Sequence, residues 1–440
     1  MMAGMESKQP NLMEKIVSLS KQRGFIFPAS EIYGGVGAVY EYGPLGVELK
    51  RNIRDSWWRT FVTNRPDVVG MEGSILQSTK AWEASGHLKE FSDPLVECKT
   101  CHQRFREDHA PEKGEDGHVH DFTDAKQFNL MFKTHMGPIE SKENVAYLRP
   151  ETAQSMFEQF KLIQSATRAK LPFGIAQSGR NFRNEITTGN FSFRQREFEI
   201  MEIEYFVKPE QDEQPWRDWT AAQEAWLLKI GLPQAKIKKV ELSSDKVAHY
   251  SKGTTDIYFE FPFGWDELAG NSRRTDFDLT NHQKASGQNL EYFDEEAGKS
   301  YLPWVVEPTF GLDRILLATI IAAYKEEEVE GEKRVVLAFD KNIAPVKVAV
   351  LPLSKKSELS GPAKKLRDQL LELGNVDYDE SGSIGKRYRR QDEVGTPYCV
   401  TFDFETLTDN AVTIRDRDTM KQERIATKDL VEHFQKLFHT

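Results

Sequence analysis

The segment NFRNEI places Arg183 and Glu185 two residues apart, and the two-residue period of a strand sets both side chains on one face. A permanent cation beside a carboxylate suits a ligand carrying both phosphate and amino groups, because the guanidinium fork stays charged and grips phosphate oxygens in pairs. Beyond the polar connection TTGNFSFRQR, the segment EFEIMEIEYFV aligns Phe198, Ile200 and Glu202 by the same period. An aromatic plane and a carboxylate on one face can stack a base and hold an ammonium; a cross-strand ladder of ion pairs on a half-exposed sheet accounts for the same residues without a ligand. Glu267 in DELAG and Glu307 in EPTFGLDR add acids, each of which alone reads as a surface residue. Cys98 and Cys101 form a C-x-x-C pair with His102, His109, His118 and His120 nearby. Tetrahedral zinc needs four ligands and the pair supplies two. His118 and His120, one residue apart, would be an unusual completion, so the expectation is that no structural zinc is held. Lys386, Arg387, Arg389 and Arg390 surround Tyr388 in a Gly- and Ser-rich stretch, a basic loop that reads either as a phosphate-binding patch or as a solvated surface.

These residues need elements to hold them. Leu49, Ile53, Trp57 and Phe61 recur every four residues and predict an amphipathic helix, ended by Pro66 and preceded by the Gly-rich approach YGGVGAVYEYGPLG. From about residue 93 to 125 apolar periodicity disappears, as expected of a surface insertion. Pro150 then suits a first helical turn, with Ala153, Met156, Phe157, Phe160 and Ile163 as the buried face and Glu151 favoured by the helix dipole. NFRNEI and EFEIMEIEYFV predict an antiparallel hairpin. Residues 209–250 read as a second polar, partly helical insertion. Strands follow near DIYFEFPF and WVVEPTF, the latter running into the helix GLDRILLATIIAAY. After the charged run KEEEVEGEKR, the segments KVAVLPL, AKKLRDQLLELG, VDYDE, PYCVTFD, AVTIRD and KDLVEHFQKLF alternate strand and helix. The expected organisation is an α+β unit over 1–342 followed by a small α/β domain over 343–440.

FRNEI followed by Arg194, Phe198 and Glu202 in the spacing R-x-x-x-F-x-x-x-E resembles motif 2 of class II aminoacyl-tRNA synthetases, and EPTFGLDR resembles their motif 3. The helix ending near Pro66 resembles motif 1, their dimerisation element. YEYGPLGVELK, WEASGH, FSDPLVECKTC, FNLMFKT, YLRPETAQ, GKRYRRQDEVGTPYCVTFD and VTIRDRD are similar to segments of glycyl-tRNA synthetases of the homodimeric type, over nearly the whole chain from about Gly24 to Phe438. The resemblance implies an antiparallel catalytic sheet flanked by helices, with insertions, and a C-terminal anticodon-binding domain. It implies activation of glycine by ATP to glycyl-adenylate with release of pyrophosphate, then transfer to the 3′ end of tRNA(Gly). By the same resemblance Arg183 holds the α-phosphate, Arg194 and Arg314 take the outer phosphates, Glu185 meets the adenine amino group and Phe198 stacks on the ring. Arg183 and Arg314 are then the catalytic cations. Asn184, Phe193, Leu268 and Gly311 complete the ATP site, and Glu267 and Glu307 contact ATP and its Mg2+. Glu151 and Glu202 grasp the glycine ammonium, Thr309 closes the pocket, Phe198, Glu307 and Gly311 line it, and Arg106 reaches the substrate carboxylate. Lys386, Arg387, Arg389 and Arg390 contact tRNA. Two departures stand out: Thr309 where the family usually has Ser, which leaves an altered amino-acid specificity open, and Ser155 where it often has Gly.

Composition bounds the alternatives. Over 440 residues, 39% hydrophobic and 11% aromatic content supplies cores for two or three domains. No run approaches the roughly 20 apolar residues of a membrane span, and the start MMAGMESKQPNLMEK lacks a signal-peptide core, so a cytoplasmic protein with no membrane partner is expected. Three cysteines make no disulfide framework. A net charge of −10 opposes general DNA coating while leaving room for a local nucleic-acid patch. The competing readings are a noncatalytic nucleic-acid-binding paralogue, which would be free to lose its ATP residues, and a synthetase for alanine or serine.

Overall fold

The computed structural model describes residues 11–438 apart from 115, 187, 244–250 and 330. Helix α1 (Pro44–Trp58) starts with proline at its first position behind Gly43, where the missing amide hydrogen costs nothing. It buries Leu49, Ile53 and Trp57, and Phe61 follows in a π-helical turn, Arg59–Thr63. Gly46 lets α1 lie against the preceding segment: a Cβ there would stand 1.8 Å from the Phe25 carbonyl oxygen.

The chain then builds a seven-stranded sheet from β1 (Val68–Gly70), β2 (Phe173–Phe182), β3 (Glu197–Val207), β4 (Ile237–Glu241), β5 (Thr254–Phe261), β6 (Gly264–Thr275) and β7 (Trp304–Gly311). The order is β4-β5-β6-β7-β3-β2-β1. Every pair is antiparallel except β1 with β2. Both faces of β3 are buried from Glu199 to Val207, so its acids Glu199, Glu202 and Glu204 are buried along with its apolar residues. Tyr205, Val306 and Phe310 pack with α1, α3 (Glu213–Lys229) and α4 (Leu312–Ala323), whereas Phe206 and Val305 pack with α2 (Ala153–Thr167).

Three sequence expectations are corrected here. Residues 209–243 form no detached insertion: α3 buries Trp216, Trp219 and Trp226 in the main core and β4 is an edge of the main sheet. The tryptophans recur at helical spacing, but polar residues between them hide the stripe; residues 244–250 of that segment lie outside the described residues. The first arm of the hairpin is β2, which contains only Asn181 and Phe182 of NFRNEI and runs mostly ahead of it, because GIAQSG is a strand whose Gly, Gln and Ser give little β signal. Helix α2 starts at Ala153, so Glu151 lies ahead of the helix rather than in its first turn.

Residues 92–129 carry a separate three-stranded sheet with Ser92–Glu97 in the centre, flanked by Arg104–Arg106 and Lys126–Asn129. The C-terminal part contains β8 (Val348–Pro352), α5 (Ser357–Leu370), β9 (Val376–Tyr378), α6 (Ile384–Val394), β10 (Tyr398–Phe402), β11 (Ala411–Asp416), β12 (Gln422–Ala426) and α7 (Leu430–Phe438), with strand order β9-β8-β10-β11-β12. Val350, Leu366, Val400, Ile414 and Phe434 belong to its own hydrophobic core. The basic stretch expected as a loop is the helix α6, capped by the Ser383 side chain. Among the described residues no helix is long and apolar enough to cross a membrane.

Candidate active site

Strands β6, β7 and β3 form the floor of a cleft of about 320 Å³. Their register puts Gly270, Thr309 and Glu202 side by side across the three strands. Arg183, Glu185, Phe193, Arg194, Phe198, Glu267, Leu268, Gly311 and Arg314 line one part of the cleft, and Glu151, Glu202, Glu307 and Thr309 another. Asn184 and Arg106 are not among its lining residues. Asn184 instead donates its backbone N–H to Leu130. Arg106 makes two 2.7 Å bonds to Asp108 and lies 3.8 Å from Asp93, so its guanidinium is engaged within the 92–129 unit.

The cationic side is built on aromatic faces. Arg183 follows the end of β2, donates through Nε to the Pro150 carbonyl at 3.1 Å, and sits 5.3 Å from the Phe198 ring centre and 5.2 Å from that of Phe91. Because the strand ends at Phe182, Arg183 and Glu185 are placed by the loop and not by strand alternation. Arg314, in the first turn of α4, lies 4.4 Å from the Phe193 ring centre and donates to the Glu267 backbone at 3.0 Å and carboxylate at 3.2 Å. Among the described residues these contacts leave each guanidinium at least one N–H edge for a ligand.

The acidic side is buried. Glu202 accepts from Thr152 and, at 3.0 Å, from Thr309. Burial, with Glu151 nearby, pushes the Glu202 carboxyl above its ordinary range. Glu151 is also buried, yet His87 at 3.3 Å, Arg274 and a 2.8 Å bond from Gln154 overcome the burial and hold it well below the usual carboxylate range. Glu307 accepts a 2.6 Å bond from Arg274, whose other edge grips Asp278 at 2.7 and 2.8 Å. Burial and the neighbouring Glu202 still push Glu307 upward. Glu204, two residues beyond Glu202 in the same strand, is fully buried with neither carboxyl oxygen hydrogen-bonded among the described residues, and burial drives it well upward too. Carboxyl oxygens of Glu202, Glu204 and Glu307 lie within 4.8 Å of one another. Such crowding favours any small cation that enters.

Sequence reasoning grouped Glu267 with Glu307, but the register separates them: Glu307 faces Ser272, and Glu267 lies toward the other end of β6. It missed Arg274, Asp278, His87 and Glu204; the i,i+4 spacing of Arg274 and Asp278 was the available signal. It also missed the clamp that fixes the cleft walls. Asp313 accepts from Tyr42, from Lys50 at 2.7 Å and from the Glu199 backbone at 2.6 Å, tying α1, β3 and α4 together. The hydroxyl of Ser155 is accommodated: it donates to the Thr152 carbonyl at 3.1 Å and accepts from Gln177 at 2.9 Å.

Outside the cleft, Cys98, Cys101, His118 and His120 are brought together, their ligand atoms within 4.8 Å of one another. The basic group near Tyr388 is not uniform. Arg387 is buried and donates to the carbonyls of Pro352, Leu353 and Asp379, so it cannot serve as a phosphate contact and is corrected to a structural residue. Arg390 is bonded to Asp379, Arg389 approaches Asp392 at 4.0 Å, and Lys386 is exposed.

An antiparallel sheet with one parallel edge strand, carrying arginines on aromatic faces beside a nest of carboxylates, defines a class II aminoacyl-tRNA synthetase. In agreement, a family model described as tRNA synthetase class II core domain (G, H, P, S and T) matches residues 132–324, and one described as anticodon binding domain matches residues 347–437. Within that class the relatives are specific. A glycine–tRNA ligase of Streptomyces coelicolor is 51% identical over 94% of this chain and 96% of its own. Those of Lachnoclostridium phytofermentans and Lachnospira eligens are 49% and 50% identical, each over 97% of this chain and 99% of theirs. The chain belongs to the glycine–tRNA ligase family.

Proposed function

We propose that this chain ligates glycine to tRNA(Gly) in two steps: the glycine carboxylate attacks the α-phosphate of ATP and pyrophosphate leaves, then a hydroxyl at the 3′ end of the tRNA attacks the carbonyl of the glycyl-adenylate and AMP leaves. The observation that carries this reading is the pairing of Glu202 and Thr309 on adjacent strands of the cleft floor, in one cleft with Glu151, Arg183 and Arg314. An ammonium held by Glu151 and Glu202 directs the substrate carboxylate toward Arg183, and the hydroxyl of Thr309 closes the space a side chain would need. Discrimination then rests on excluding a larger substrate.

On the nucleotide side, the base stacks on Phe198 with Glu185 accepting from its amino group, and Phe193, Leu268 and Gly311 shape the site. Arg183 neutralises charge growing on the α-phosphate while Arg194 and Arg314 orient the leaving pyrophosphate, so catalysis is positioning plus charge stabilisation with no covalent nucleophile. Magnesium fits at Glu267, a half-exposed carboxylate at the Arg314 side; when bound it would neutralise phosphate charge alongside that residue. Glu307 belongs to the ammonium side through Arg274.

The same reading divides the chain at residue 342 into a catalytic and an anticodon-binding domain, with Lys386, Arg389 and Arg390 on the tRNA side, and places it in the cytoplasm as a homodimer. Two separate hydrophobic cores, the first reaching Ala344 and the second starting at Val348, support a division just after residue 342. Its test is aminoacylation of a tRNA(Gly) transcript by the purified chain with each of glycine, alanine and serine. Charging with glycine alone is expected; charging with none, while the tRNA still binds, would replace it with a noncatalytic tRNA-binding role.

A further inference from the structure

The unit between residues 92 and 129 has almost no apolar core of its own. Val96 and Cys98 are buried, but among the described residues from 99 to 125 no hydrophobic side chain is buried. A segment of that size without a core ordinarily needs a staple. Where the staple would sit, three pieces of chain converge. Cys98 follows the strand Ser92–Glu97, the chain turns back after Cys101 through His102 at φ 57°, and the stretch around Val119 returns through a bridge to Lys113. The Cys98 sulfur lies 3.7 Å from Nε2 of His118, and the Cys101 sulfur 3.7 Å from Nδ1 of His120. Metal bonds of about 2.3 Å to sulfur and about 2.0–2.1 Å to nitrogen, at tetrahedral angles, put S and N roughly 3.6 Å apart.

We propose that Cys98, Cys101, His118 and His120 bind one structural zinc ion. A tetrahedral set of two thiolates and two imidazoles selects zinc over the harder divalent cations. The spacing that looked unsuitable in the sequence is what the geometry uses, since residues i and i+2 of an extended segment point to the same side. The surroundings are those of a held ligand set. Asp116 bonds Nδ1 of His118, which fixes that ring with Nε2 toward the cysteines. The His120 ring is set between Phe105 and Phe122, with centre distances of 5.3 and 5.1 Å, and is buried. Backbone bonds from His120 to Glu112 at 3.0 Å and from Lys99 to Asp121 at 2.8 Å hold the two ligand-bearing stretches in place. The ion would fix the unit whose continuation, at Leu130, accepts the backbone N–H of Asn184 beside Arg183.

The test is metal content, which does not depend on what the cleft does. The full chain, purified without metal affinity steps, is measured by plasma mass spectrometry alongside Cys98→Ser, His120→Ala and, as a control, His109→Ala. About one zinc per chain is expected in the wild type and in His109→Ala, with at least a roughly tenfold loss in the other two. Because either ligand variant can unfold locally, the wild-type chain stripped by chelator is also titrated with Co2+. An intense tetrahedral thiolate–cobalt spectrum saturating at one equivalent supports the site. Zinc retained in Cys98→Ser, or only a weak octahedral cobalt spectrum in the wild type, overturns it.

Discussion

Thr309 donates its hydroxyl to Glu202 across 3.0 Å from the directly opposite position on the neighbouring strand. The bond can be made by Ser or Thr, so replacement of the usual serine keeps the polar function and adds a methyl. Thr309→Ala is expected to raise the KM for glycine about tenfold, the effect of one hydrogen bond to a charged group, and to raise relative use of alanine. Thr309→Ser is expected to keep the glycine KM within a few-fold. Steady-state activation kinetics with both amino acids check this.

Arg274 is buried with both edges engaged, on Asp278 and on Glu307. Arg274→Ala leaves two buried acids without their cation and is expected to destabilise the chain by about 3–5 kcal/mol. Denaturant unfolding followed by tryptophan fluorescence measures it; a loss below about 1 kcal/mol would contradict the role assigned to this ion pair.

Glu151 has its carboxyl held below the ordinary range in the folded state. A depressed acid contributes stability that is fully present above its unfolded value, about 4.3, and is lost as pH falls toward the folded value. Thermal midpoints measured from neutral pH downward should therefore fall less steeply for Glu151→Gln than for the wild type. A steeper fall in the variant would reverse the sign of this coupling.

Lys386 and Arg387 are neighbours in sequence with different surroundings: one exposed, the other bonded to backbone carbonyls. Arg387→Ala is expected to lower the unfolding midpoint. Lys386→Ala is expected to leave the midpoint unchanged, weaken tRNA binding and lower the slope of log affinity against log salt by about 1. Melting curves and binding titrations at several salt concentrations separate the two.

The elements whose signal is periodic were legible in the sequence. The stripe Leu49, Ile53, Trp57 and Phe61 is buried, and EFEIMEIEYFV, WVVEPTFG and LDRILLATIIAA form β3, β7 and α4. Elements whose burial is polar were not: β2 carries Gly174, Gln177 and Gly179 in its interior, and α3 presents its tryptophans among charged residues. The cleft residues were found because their types suited the chemistry and their order matched a family pattern. His87 ends the segment WEASGH and Glu204 stands two residues beyond Glu202, but neither residue type announced a role there, and Arg274 acts through a contact between distant segments, its 2.6 Å bond to Glu307, which no local spacing encodes. Arg106 and Arg387 show the converse: the type of a basic residue carries no information about whether its charge is already taken.

The central claim is that one cleft activates glycine with ATP, and amino-acid-dependent exchange of pyrophosphate into ATP tests it most directly, with glycine, alanine and serine side by side and Arg183→Ala as control. Exchange with glycine alone, reduced about 10²–10³-fold in the variant, is the predicted result. Exchange with alanine or serine at a comparable rate, or none with any of the three, would contradict the account.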